Sequence, residues 1–212
     1  MTSFTLKIIA IAAMLIDHIG YMFFPDMIIF RLIGRIAFPI FAFFVAEGIR
    51  FTHDRKKYLT RLLLLAVISE IPFDLMRNGS AFSPSSQNVC FTLAAGVACV
   101  WLLEKKSLTN VYAIITILLF VALMNSDYGI IGVLAIIIIY LGNIKSAPLR
   151  GAALGCLLLS LTFDLTEFSC FLALLPLAFY NGKRGINMKY LFYLFYPLHM
   201  LAIWALWALL PT

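Results

Sequence analysis

The sequence predicts an all-α fold, a polytopic membrane helix bundle of about nine transmembrane helices (eight to ten) forming a single transmembrane domain over residues 1–212. Three observations predict it. The chain is 63% hydrophobic and 12% charged, against roughly 45–50% and 25% in a soluble domain. Its apolar residues fall in runs that approach the about 20 residues a spanning helix needs. Its basic residues gather in alternate connections, as the short inner loops of membrane proteins do. In 212 residues such runs leave no room for a folded extramembrane domain, so function must be built from side chains inside the bundle and from its loops.

The runs read as helices over 5–24, 30–50, 58–76, 89–104, 108–124, 128–142, 148–163, 167–181 and 189–210. The first has Lys7 ahead of its apolar stretch, but Asp17 and His18 interrupt that stretch and no small-residue cleavage site follows. It therefore reads as a retained span and not a removed signal peptide. The second is compatible with an interfacial turn at its start, and 148–163 and 167–181 are short for spans, which leaves their division open. The longest loop, RNGSAFSPSSQN over 77–88, has the composition of an irregular connection.

Placing the N-terminus inside and the C-terminus outside puts Lys7, Arg50, Arg55, Lys56, Lys57, Arg61, Lys105, Lys106, Lys145, Arg150, Lys183, Arg184 and Lys189 on the inner side, which is 13 of the 16 basic residues. Only Arg31, Arg35 and Arg77 fall towards the outside, with Asp26, Asp74, Asp127, Asp164 and Glu167. The net charge of +6 is thus accounted for by topology, with the lipid bilayer as partner and no nucleic acid. Cys90, Cys99, Cys156 and Cys170 lie in apolar stretches with no CxxC pair and no histidine at ligand spacing. They read as small buried hydrophobes, and no metal site is expected.

An ionisable side chain at mid-bilayer costs at least about 2.5–3.5 kcal/mol, so each needs a partner or a task. Asp17 and His18 sit about twelve residues into the first span, roughly 18 Å at 1.5 Å per residue. His199 lies at similar depth in the last span, after Pro197, and shares a face with Tyr193 and Tyr196. One reading is a buried aromatic seam; two histidines at matching depth favour a site. Arg31 and Arg35, at i and i+4, are expected to meet Glu70 and Asp74, also at i and i+4, as a charge-balanced cluster that locks two helices or binds substrate. Glu47, Arg50, Arg55, Lys56, Lys57 and Arg61, with Lys183 and Arg184, read first as the positive-inside signal and second as a site for a polyanionic cytosolic ligand.

The blocks LKIIAIAAMLIDHIG, RLIGRIAFPIFAFFVAEGIR, KKYLTRLLLLAVISEIPFDL, NVCFTLAAG, SDYGIIGVL, LPLAFYNGKRG and FYLFYPLHM resemble, in order and over nearly the whole chain, the TraX family of integral membrane proteins. That family is named for a pilin acetylase. More distantly, the first-span histidine, the GR-x-x-FP-x-F helix and the terminal Y-x-x-H helix resemble membrane acyltransferases that use cytosolic acyl-CoA. The resemblance implies a bacterial-type cytoplasmic membrane protein that moves an acyl group from acetyl-CoA to an acceptor peptide, sugar or small molecule. The catalytic set is then His18 as general base, His199 as second base or donor to the thioester oxygen, Asp17 lining the same cavity, and Asp127 or Glu70 orienting an imidazole. Arg31, Arg35, Glu70, Asp74 and Tyr196 are expected at the substrate. Glu47, Arg50, Arg55, Lys56, Lys57, Arg61, Asn181, Lys183 and Arg184 are expected at the acyl-CoA. A covalent acyl-histidine remains an alternative to direct transfer. The alternative function is a proton-coupled small-molecule transporter using the buried Asp, Glu and His as a relay, for which a chain this short could pair with a second copy.

Overall fold

The computed structural model describes residues 1–105 and 107–210. Lys106 and the Lys189 side chain, two of the inner-loop basic set, lie outside the described residues. The chain forms α1 (Ser3–Phe23), α2 (Ile28–Gly34), α3 (Ala37–Phe51), α4 (Arg55–Asn78), α5 (Val89–Leu103), α6 (Leu108–Leu123), α7 (Gly129–Ile144), α8 (Pro148–Thr162), a 3-10 helix (Leu165–Ala173) that runs into α9 (Leu174–Ala178), and α10 (Lys189–Leu209). Every stretch expected as a span is helical, and the fold is all-α over the described residues.

Two elements depart from one uninterrupted helix per run. The second run breaks at Arg35–Ile36 into α2 and α3. Pro39 has no N–H to donate to the Arg35 carbonyl one turn back, so the ladder lapses there. The eighth run opens as nine residues of 3-10 helix, longer than such helices usually run. Its side chains tie it elsewhere: Ser169 Oγ reaches the Leu32 carbonyl at 2.8 Å and the Thr166 carbonyl at 2.7 Å. Both irregular segments border the same cavity.

Among the described residues, three helical units are long and apolar enough to cross a membrane: Ser3–Phe23, Ile28–Phe51 and Tyr190–Leu209. The apolar helices Val89–Leu103, Leu108–Leu123, Gly129–Ile144, Pro148–Thr162 and Leu165–Ala178 are shorter. α4 is long but carries Glu70, Asp74 and Arg77 in its second half.

Local sequence sets the helix ends. Asp54 and Asn88 accept from the backbone N–H of Lys57 (2.8 Å) and Cys90 (3.0 Å), the N-cap role their short acceptors suit. α4 stops on Gly79 at φ +66°, a left-handed cap that favours glycine. α7 and α8 approach so closely that a Cβ on Gly142 would lie 2.5 Å from the Gly151 Cα. Such small-residue contacts matter between apolar helices in lipid, where packing replaces the hydrophobic effect. The four cysteines are buried.

The ends of the helices meet as an alternating path requires. At the amino-terminal end, Ser3 N donates to Lys183 O (2.8 Å), Asn181 N to Met1 O (3.0 Å), Arg50 to Asn143 O (2.9 Å), and Arg55 pairs with Glu104. At the opposite end, Gln87 N donates to Asn125 O (3.3 Å), Asp127 N to Gln87 O (2.9 Å), and Arg35 reaches Tyr128 and Glu167. Hence Arg50, Arg55 and Lys183 lie at one end of the bundle and Arg35 at the other.

Candidate functional site

α1 and α10 lie side by side and bring the two histidines into direct contact: His18 Nδ1 is 2.7 Å from His199 Nε2. The rings are 4° from parallel with centroids 4.9 Å apart. That separation equals the N···N distance plus the two ring radii, so the imidazoles are joined edge to edge in one plane. His199 Nδ1 is 2.8 Å from the Phe195 carbonyl, one turn back on α10, and the Phe195 ring stacks on the His199 ring at 4.7 Å.

These contacts fix the direction of the chain. A carbonyl can only accept, so His199 Nδ1 carries the proton. The neutral ring then has an acceptor at Nε2, which accepts a hydrogen bond from His18 Nδ1–H, and His18 Nε2 is left with a free lone pair. His18 borders a cavity of about 280 Å³ at the end of the bundle away from Met1. The arrangement therefore presents an oriented, unprotonated imidazole nitrogen to a polar cavity. Both nitrogens of His199 are occupied and it borders neither cavity, so its contacts are ones that hold His18 in place.

The cavity is also lined by Asp17, Arg31, Arg35, Asp127 and Tyr196. The charges pair differently. Arg31 Nη1 donates to Asp17 Oδ1 at 2.8 Å. Arg35 Nη1 donates to Tyr128 Oη at 3.1 Å, and its Nε is 3.3 Å from Glu167 Oε2. Glu167 is 2% exposed, and its Oε1 has no partner among the described residues. A Cβ on Gly34 would stand 2.3 Å from Asp17 Oδ1, so a bare glycine on α2 is what lets the Asp17–Arg31 pair form.

Glu70 and Asp74 do not join the arginines and do not border the cavity. Glu70 Oε2 accepts from the Asn88 side chain, whose amide also bonds Ala66 O at 2.8 Å, fastening α4 to the start of α5. Asp74, 1% exposed, accepts from Ser83 N at 2.8 Å and anchors the 77–88 loop. The nearer acids on α1 and the 3-10 helix satisfy the arginines instead. Nor does Asp127 or Glu70 orient an imidazole; the Phe195 carbonyl does so.

Residues the sequence reading passed over are Tyr128, Glu167 and Arg77, all at this cavity. Tyr128 stands at φ +61°, uncommon for a bulky side chain and typical of functional sites, and its ring stacks on Phe38 at 3.9 Å. The Asp-Tyr-Gly turn of the SDYG block was the signal available for it. Asp164, in the loop before the 3-10 helix, caps that helix through Thr166 N at 2.8 Å; the Thr166 hydroxyl holds its carboxyl below the usual range.

A second cavity of about 760 Å³ lies at the amino-terminal end. Of the residues expected at a polyanionic ligand, Glu47, Arg61 and Arg184 border it. Arg50 and Arg55 are taken up by Asn143 and Glu104. Lys56, Lys57, Asn181 and Lys183 sit outside it. Lys7 joins the lining, its ammonium 5.0 and 5.4 Å from the Phe44 and Phe192 ring centres.

The TraX protein family model matches residues 3–207. A probable fimbrial assembly protein FimC (serogroup H1) of Dichelobacter nodosus is 33% identical over 211 aligned residues, covering 87% of this chain and 86% of its own. An uncharacterized protein of Rickettsia prowazekii (strain Madrid E) is 30% identical, covering 83% and 68%. Protein TraX of Escherichia coli is 29% identical, covering 72% and 61%. No solved structure matches the chain. The IDH, SDYG and YPLH blocks that build the histidine pair and its cavity lie within the matched region, and the chain belongs to the TraX family.

Proposed function

We propose that the protein is a membrane-embedded acyltransferase, with acetyl-CoA as donor and an amine or hydroxyl as acceptor. Its nine helical passes run with the N-terminus inside a bacterial-type cytoplasmic membrane. The observation that carries the reading is the directed chain from the Phe195 carbonyl through His199 to His18, which leaves His18 Nε2 unprotonated at a polar cavity. Acyl transfer needs such a base for the acceptor proton. It also needs donors for the charge that develops on the thioester oxygen, and Arg31, Arg35 and Arg77 are the cations at hand.

In the proposed step the acceptor nitrogen or oxygen forms a bond to the acyl carbon while its proton passes to His18 Nε2. The carbon–sulfur bond breaks, and the leaving thiolate takes that proton to give free coenzyme A thiol. The occupied nitrogens of His199 favour this direct route over an acyl-His199 intermediate. The fimbrial-assembly name of one relative makes a fimbrial subunit an acceptor to try first, beside sugars and small molecules. Purified protein in lipid nanodiscs should release thiol from acetyl-CoA, and His18→Asn, whose amide can still donate to His199 from the Nδ1 position, should stop it while leaving the unfolding midpoint unchanged. Equal thiol release by His18→Asn would overturn the mechanism.

Proton-coupled transport is the second reading, favoured by two cavities at opposite ends of the bundle. Pairing of Asp17 with Arg31 and Arg35 with Glu167 leaves fewer free carboxylates for a proton relay. Substrate-driven proton flux in liposomes without acyl-CoA would reverse the order.

A further inference from the structure

The 760 Å³ cavity at the amino-terminal end is built from an aromatic wall and three cations, Lys7, Arg61 and Arg184, against a single carboxylate, Glu47. That carboxylate is engaged by the Tyr180 hydroxyl at 3.0 Å, and none of the three cations is in an ion pair among the described residues. Arg61 Nε is buried without a hydrogen-bond partner. Lys7 lies between two phenylalanine rings. A cavity of this size suits a large organic ligand, within the roughly 300–1,000 Å³ of small-molecule sites. Its excess of cations beside aromatic faces fits a ligand that is polyanionic at one end and planar or apolar elsewhere.

Met14, Phe41, Val89, Leu93 and Tyr196 border both this cavity and the histidine cavity. The two spaces are therefore separated by a partition one side chain thick, with His18 on the far side.

We propose that the amino-terminal cavity is the donor site, that Lys7 and Arg61 hold the phosphates of an acyl-CoA there, and that the thioester reaches His18 through the Met14–Phe41–Tyr196 partition while the acceptor arrives from the opposite end. This rests on the acyl-transfer reading. Lys7 replaces Arg55, Lys56 and Lys57 of the loop as the cation that matters, and donor and acceptor enter by different mouths.

The test is binding of coenzyme A itself to purified protein in nanodiscs, measured by equilibrium titration without turnover. Lys7→Gln with Arg61→Gln should weaken binding at least ten-fold, Lys7→Arg with Arg61→Lys should restore most of it, and Lys56→Gln with Lys57→Gln, outside the cavity, should leave it within two-fold. Unchanged affinity in the Lys7→Gln, Arg61→Gln protein, or loss of binding in the Lys56→Gln, Lys57→Gln protein instead, overturns the donor site while leaving acyl transfer standing. Failure of the wild-type protein to bind coenzyme A overturns both. If Lys7→Gln with Arg61→Gln does not fold, a bulky Gly48→Leu serves in its place. A Cβ at Gly48 would meet the Tyr58 hydroxyl at 2.9 Å on the cavity wall. The filled cavity should lose binding, and unaltered binding again overturns the site.

Discussion

Replacing His199 by glutamine and by asparagine separates a residue that positions His18 from one that performs chemistry. The glutamine amide group overlies imidazole Nε2, so His199→Gln can still accept the proton of His18 Nδ1. The asparagine amide group overlies Nδ1, so His199→Asn can still bond the Phe195 carbonyl but leaves His18 Nδ1 without its 2.7 Å acceptor. A buried donor stripped of its partner costs about 1–3 kcal/mol. His18 avoids that cost by moving its proton to Nε2, where it is no longer a base. General-base catalysis contributes about 10²–10⁴-fold, and each ten-fold is about 1.4 kcal/mol of barrier, so the tautomer change should raise the barrier by about 3–5 kcal/mol. His199→Asn should therefore lower kcat for thiol release from acetyl-CoA by at least about 100-fold, while His199→Gln should stay within about ten-fold of wild type, a loss of about 1.4 kcal/mol or less. Unfolding midpoints in the same nanodiscs control for misfolding. Full activity in His199→Asn refutes the relay. Complete inactivity of both variants, each folded, shows that His199 reacts with substrate and refutes its positioning role.

Three further outcomes follow from the same geometry. Glu167→Gln leaves the Arg35 guanidinium facing a neutral partner in a site where the acid is 2% exposed; breaking a buried pair from one side costs about 3–5 kcal/mol, so the unfolding midpoint should fall sharply, and a paired Arg35→Met, Glu167→Leu protein should recover most of it while remaining inactive. Gly142→Val drives a side chain into the Gly151 backbone, and overpacking of about 1–3 kcal/mol or more should appear as a lowered midpoint with coenzyme A affinity retained in the folded fraction. Asp164→Ala removes a cap worth about 1 kcal/mol; because Thr166 depresses the folded-state pKa, that contribution is present above the ordinary carboxylate range and fades as pH falls through the lower folded value, so wild type and variant should converge in stability only in strong acid.

Helix positions were legible because apolar runs and loop charge are local properties of the chain. The observed ends agree with the expected ones to within a few residues, apart from the Arg35–Ile36 break and the 3-10 helix. That His18 and His199 belong together was legible from matched depth in the first and last spans, which run in the same direction. Which nitrogen faces which was not, because it depends on a backbone carbonyl and on the rotation of α10 against α1. The arginine partners were misassigned for a related reason. Spacing at i and i+4 identifies which residues share a face but not which helix that face meets, and α1 and the 3-10 helix reach Arg31 and Arg35 where α4 had been expected. Glu70 and Asp74, equally buried acids by sequence, are used up by Asn88 and Ser83. Lys7 looked like a topology signal because nothing local distinguishes it from Lys56 or Lys57; only the packing of α1 against both α3 and α10 places it between Phe44 and Phe192.

His18 presents an unprotonated Nε2 to the polar cavity because its Nδ1–H is held by His199 Nε2. Nitrogen-15 NMR of the imidazole side chains in nanodiscs at neutral pH reads this directly. Both histidines should be protonated at Nδ1 and bare at Nε2, with His18 switching its proton to Nε2 in His199→Asn. A proton on His18 Nε2 in the wild-type protein would contradict it.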